Sequence, residues 1–142
     1  MATIRKALWY HLTQDSAISA LVSTRVYHQV APSGTALPYV TYQRISHDHT
    51  RHLTAGSSHA VARYQVDGWA KDTQGADALA EAIREALDNY RGNMGESGDT
   101  VAAVSFLESD RDDMVGPSDD AQPKTFRVSL DFSIAHAETE TG

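Results

Sequence analysis

The residues with the most obvious chemical capacity are histidines. The chain carries seven in 142 residues. Four of them, His47, His49, His52 and His59, fall within residues 47–59, and Asp48 lies among them. Imidazole is a common metal ligand, so zinc is the first chemistry to weigh. A zinc site needs three or four ligands and partners that orient them. On a strand His47 and His49 share a face, but alternation points Asp48 away from both. No HExxH pattern accompanies them. The simpler reading is a polar hairpin end that is rich in histidine. A small metal-binding enzyme using residues 47–59 is the alternative from a different functional class.

Acids form a second group. Residues 108–123 hold Glu108, Asp110, Asp112, Asp113, Asp119 and Asp120 against Arg111 alone. The order lacks the Asp-x-Asp-x-Asp-Gly of an EF-hand loop, so it reads as a solvated acidic loop rather than a calcium site. Lining a pore, such a loop would repel phosphate and keep DNA mobile. Nucleophilic catalysis has no foothold. The chain has no cysteine, no G-x-S-x-G elbow and no G-x-x-x-x-G-K-[ST] loop. Gly92, Gly95 and Gly98 precede a strand pattern, not a helix, so they make no dinucleotide fingerprint. The expectation is no catalytic residue, no metal and no cofactor.

The totals set the frame for these groups. A length of 142 residues suits one domain, expected over residues 1–135, with residues 136–142 as a loose tail. A formal net charge of −7 argues against gripping nucleic acid by neutralising phosphates. Without cysteine there is neither disulfide nor thiolate site. No apolar run approaches 18 residues and the N-terminus is not signal-like, so the chain is expected to be soluble, made in the cytoplasm and free of membrane.

The elements then follow in order. Thr3 can cap a helix in which Ile4, Ala7, Leu8, His11 and Leu12 share a face, and Asp15 can break it and cap a second turn through Val22. Residues 25–46, RVYHQVAPSGTALPYVTYQRIS, read as strand, loop and strand, with the second strand starting just after Pro38. If that strand and the next, residues 60–70, run on into 47–59, they form a long projecting arm. On residues 60–70, Tyr64, Val66 and Gly68 face one way, and Arg63, Gln65, Asp67 and Trp69 the other. The clearest helix covers residues 72–92, with Ala76, Leu79, Ala80, Ile83, Leu87 and Tyr90 in one stripe and Gly92 as a left-handed stop. Residues 93–100 read as loop and 101–107 as strand, Val104 and Phe106 sharing a face. The last strand is the most regular: Phe126, Val128, Leu130, Phe132 and Ile134 alternate with Arg127, Ser129, Asp131 and Ser133. The order predicts an α+β fold: a mostly antiparallel sheet of about four to five strands, two main flanking helices and a projecting hairpin arm.

Three phrases in this order also resemble a known family. They are Arg25-Val26-Tyr27 with Ala31-Pro32 and Ala36-Leu37-Pro38-Tyr39-Val40-Thr41-Tyr42, then Tyr64-Gln65-Val66-Asp67-Gly68-Trp69-Ala70 with its following helix, and Phe126-Arg127-Val128-Ser129-Leu130-Asp131-Phe132. Together they resemble the tail completion, or tail terminator, proteins of long-tailed phages and gene transfer agents. The resemblance implies a structural virion protein, not an enzyme. It implies a homo-hexameric ring at the head-proximal end of the tail, between tail tube protein and head-tail connector or stopper protein, with DNA passing through the lumen unread. His47, His49, Arg51, His52, Trp69, Arg127, Ser129 and Asp131 are then candidates for subunit or partner contacts. Asp110, Asp112, Asp113, Asp119 and Asp120 are candidates for the lumen or a partner loop. Another neck or tail-tube component of the same particle is the nearer alternative.

Overall fold

The computed structural model describes residues 3–51, 58–115 and 125–137. Helix α1 spans Ile4–Gln14 and α2 spans Ser16–Val22. Thr3 Oγ1 accepts the Lys6 N–H at 3.2 Å. Asp15 ends α1 and caps α2, its carboxylate accepting the Ile18 N–H at 3.0 Å. Ile4, Ala7, Leu8 and Leu12 are buried on α1, and Ile18 and Val22 on α2. Helix α3, Thr73–Leu87, starts at Asp72, which accepts the Gly75 N–H at 2.7 Å. It buries Ala76, Leu79, Ala82, Ile83, Ala86 and Leu87. His11 Nε2 donates to Ala86 O at 2.8 Å and fastens α1 to the last turn of α3.

Six strands make one sheet: β1 Val26–His28, β2 Tyr39–Arg51, β3 Ser58–Ala70, β4 Tyr90–Glu96, β5 Asp99–Val115 and β6 Thr125–Ala137. Their order is β1-β2-β3-β6-β5-β4. β1 runs parallel to β2 and every other neighbouring pair is antiparallel. Val40, Tyr42, Tyr64, Val66, Val128, Leu130, Phe132 and Ile134 form the sheet's share of the core, beneath the helices. At Gly68 the sheet backbone approaches α3 so closely that a Cβ would lie 3.0 Å from Leu79 Cβ and 3.2 Å from Val128 Cγ1.

The α+β expectation holds, with corrections. The sheet has six strands and one parallel pair, and the helices number three among the described residues. α3 stops at Leu87, because Asn89 takes a left-handed φ of 59° and turns the chain straight into β4. Tyr90 and Gly92 therefore belong to a strand, and most of 93–100 is strand too. β5 continues through residues 108–115, so that half of the expected acidic loop is a strand paired with β6. Val104 and Phe106 do share a face, but it is the one without helices; Val101, Ala103 and Ser105 are buried on the other. Both long arm strands run into 47–59 as the projecting-arm expectation required, to Arg51 and from Ser58. β6 carries two residues into the stretch expected as tail, through His136 and Ala137.

Candidate assembly interfaces

All three helices leave one broad sheet face bare. β2, β3, β6 and β5 supply it in rows fixed by register: Tyr39, Trp69 and Arg127, with Asp113; Thr41, Asp67 and Ser129, with Arg111; Gln43, Gln65 and Asp131, with Ser109. The alternation that puts Val128, Leu130 and Phe132 in the core puts these residues outside it. Trp69, Arg127, Ser129 and Asp131 thus come together on one face.

This face is bonded laterally. The Tyr39 and Trp69 rings stack with centroids 5.7 Å apart, and the Arg127 guanidinium lies 5.3 Å from the Trp69 ring centre. Trp69 Nε1 donates to Thr41 Oγ1 at 3.0 Å. Arg127 pairs with Asp113 at 2.6 Å, and Arg111 with Asp131 at 3.3 Å and with Gln65 Oε1 at 3.1 Å. Gln65 donates to Asp67 at 3.0 Å, and Ser109 Oγ to Asp131 at 3.1 Å. Acids and arginines therefore neutralise one another here. Yet Arg127 Nε, Ser129 Oγ and Asp131 Oδ1 are buried with no protein partner among the described residues. Three such atoms in succession along β6 mark a surface that meets water or a further polar group.

The histidines sit on the opposite side of the sheet. The register of β2 shifts between Arg44 and Ser46, a bulge at Ile45, and this turns His47 and His49 to the helix side. His47 lies beside Ala62, and His49 beside Ala60, which His136 flanks from β6. The two alanines are small enough for imidazoles from β2 and β6 to meet above β3. His47 Nε2 is 2.9 Å from His136 Nε2, Arg44 donates to His47 Nδ1 at 3.0 Å, and the His49 ring centroid is 4.2 Å from that of His47. Metal ligation through His47 Nε2 would put its proton on Nδ1, facing the Arg44 donor. The arrangement suits a hydrogen-bonded pair better than a metal, and no cluster of three metal-ligating side chains gathers among the described residues. Arg51 ends β2. His52 lies outside the described residues.

The acids divide. The register of β5 shifts between Leu107 and Ser109, so Asp113 faces the bare side while Asp110 and Asp112 face α3. There they line an open groove of about 370 Å³ with Asp77, Glu81 and Arg84, over Val128 and Leu130. The Arg84 hydrogen bond holds the Glu81 carboxyl below the ordinary range. Asp119 and Asp120 lie outside the described residues. Tyr39, Thr41, Gln65 and Arg111 belong to the bare face and were not singled out from sequence. Their signal was their period-two register with Trp69 and Ser129. Ile45 and Met114, half exposed at the two sheet edges, carried no sequence signal apart from size.

Residues 6–137 match the family model described as "Tail completion protein gp17". No curated protein matches. Among solved structures, a chain of "Virion of native gene transfer agent (GTA) particle" shares the fold with a TM-score of 0.66 at 21% identity, over 96% of each chain. Because the family model spans nearly the whole chain, from α1 to the end of β6, this protein belongs to the tail completion gp17 family of structural virion proteins.

Proposed function

We propose that this protein closes the tail tube as a homo-hexameric ring at the head-proximal end of the tail and joins it to the head-side connector, with DNA passing through the ring. It acts there as one structural domain, made in the host cytoplasm, not as an enzyme. Family membership over residues 6–137 carries the reading. The bare sheet face supports it. A ring is built from heterologous contacts and also needs a wall past which DNA can slide. A face whose arginines are paired with carboxylates, as Arg127 with Asp113 and Arg111 with Asp131, offers few free cations to phosphate. Non-adhesion then comes from neutralisation, not from an acidic loop.

Deleting the gene in its source and imaging the particles by electron microscopy tests this. Filled tailless heads beside overlong or unattached tails are expected. Normal joined particles would rule the reading out, and absence of any tail would point to a tube or initiator role.

A further inference from the structure

Two strand edges stand open among the described residues, at diagonally opposite corners of the sheet. β1 covers β2 over residues 40–42, and Gln29 N–H bonds Tyr42 O. Beyond that, the outer side of β2 is open over residues 43–51. β4 covers β5 over residues 99–105, and Asp88 takes the Leu107 N–H at 3.0 Å. Beyond that, β5 is open over residues 108–115. An uncovered edge is a template for another strand. Ladder alternation aims the backbone groups of His47 and His49 outward on β2, and those of Asp110, Asp112 and Met114 outward on β5.

We infer that β2 of one copy adds to β5 of the next, antiparallel, with Ile45 beside Met114, His47 beside Asp112 and His49 beside Asp110. The inference rests on the ring reading above and names its contact. The β2 edge presents Arg44 and two imidazoles on the same face as the two carboxylates of the β5 edge. A β5 edge meeting another β5 would set carboxylates opposite each other, and a β2 edge meeting another β2 would bring Arg44 no carboxylate on that face. The contact is therefore head to tail, the kind that makes rings.

The geometry also closes. His47 is level with Ala62 on β3, and Asp112 is level with Val128 and hence Gly68. Ala62 to Gly68 is six residues, about 20 Å of strand. Successive β2 strands would lie four strand spacings apart, about 19 Å. Copies joined at these corners stay level if their strands tilt about 45°, the upper end of the range in closed barrels. Sheet twist bends one diagonal pair of corners to each side. α1 touches both β1 and β4, at opposite edges, so those corners fold over α1 and the two open corners bend toward the bare face. The joined sheet thus curves with Trp69 and Arg127 inside and the helices outside.

The chain contains no cysteine, which makes a crosslink readable. In this register Ser46 faces Asp113 at a non-hydrogen-bonded position, where side chains approach most closely. Particles carrying Ser46→Cys with Asp113→Cys, oxidised and run on a non-reducing gel, should give a ladder from dimer upward, and each single variant a monomer. A ring visible on such particles without the ladder overturns the edge contact and spares the ring. No ring at all overturns the function proposed above and this contact with it. Charge reversal gives an independent check. Asp110→Lys with Asp112→Lys should lower joined particles about tenfold or more, and adding Arg44→Glu and His49→Glu to the same chain should restore them. Failure to restore, with both proteins folded by circular dichroism, overturns the pairing.

Discussion

Tyr42 lies in the core beneath the helices with its ring 6.5 Å from that of Tyr64. Burial, with the neighbouring Tyr64, pushes its hydroxyl up to about 12. A raised folded value means that the folded state keeps the proton longer than the unfolded chain. The associated stability is fully present below pH 10 and is lost as pH rises from there through about 12, on the order of 2–3 kcal/mol. Tyr42→Phe should flatten the fall in urea-unfolding free energy across that window; an unchanged slope would place the alkaline loss elsewhere. The imidazole pair makes a second prediction at this scale. Arg44 donates to His47 Nδ1, so the His47 proton sits on Nε2 and is donated to His136 Nε2; His136 Nδ1–H then donates to Ala137 O at 3.1 Å. Both rings are neutral in this pattern. A proton added to His136 Nε2 would oppose the His47 Nε2–H at 2.9 Å, and one added to His47 Nδ1 would oppose the Arg44 donor at 3.0 Å. Nitrogen NMR should show opposite tautomers for the two rings at neutral pH; matching tautomers would refute the assignment.

At the scale of elements, Gly68 decides how closely α3 sits on β3. Its conformation is not left-handed, so the requirement is space alone. Gly68→Ala forces α3 outward and should cost about 1–3 kcal/mol, read as a lower urea midpoint with the same slope. A neutral result would mean that α3 shifts freely. Much of this layer was legible in the sequence. Asp15 reads as a break because it can end one helix and cap the next, Pro38 fixes the start of β2, and β6 alternates without interruption. β4 was not legible. As an edge strand it buries Met94 and otherwise presents Arg91, Gly92, Asn93 and Gly95, which resemble a loop. The distal half of β5 was hidden by its charge, although charge is what an open edge carries. On the bare face, Trp69, Arg127, Ser129 and Asp131 were readable because β3 and β6 keep strict period two. The separation of Asp110 and Asp112 from Asp113 was not, because one bulge before Ser109 swaps every later side chain to the other face.

That swap has its largest consequence for the whole assembly. Asp112 and Asp113 are adjacent in sequence, and reversing either changes the chain's charge equally. In the proposed ring they stand in different places. Asp112 lies at the open β5 edge on the α3 side, where the next copy's β2 brings an imidazole. Asp113 lies on the bare face, neutralising Arg127 at 2.6 Å. Asp112→Lys should therefore weaken copy-to-copy contact and lower the yield of joined particles, with no special dependence on DNA. Asp113→Lys should leave rings and joined particles intact. It releases Arg127 and adds a second cation per subunit to the wall that DNA passes. Phosphate attraction is strongly salt-dependent, so DNA release from these particles should slow and recover at raised ionic strength. Particle counts by electron microscopy and DNA ejection at two salt concentrations separate the two variants. Identical behaviour of the pair would show that the bare face does not line the channel, whatever contact joins the copies.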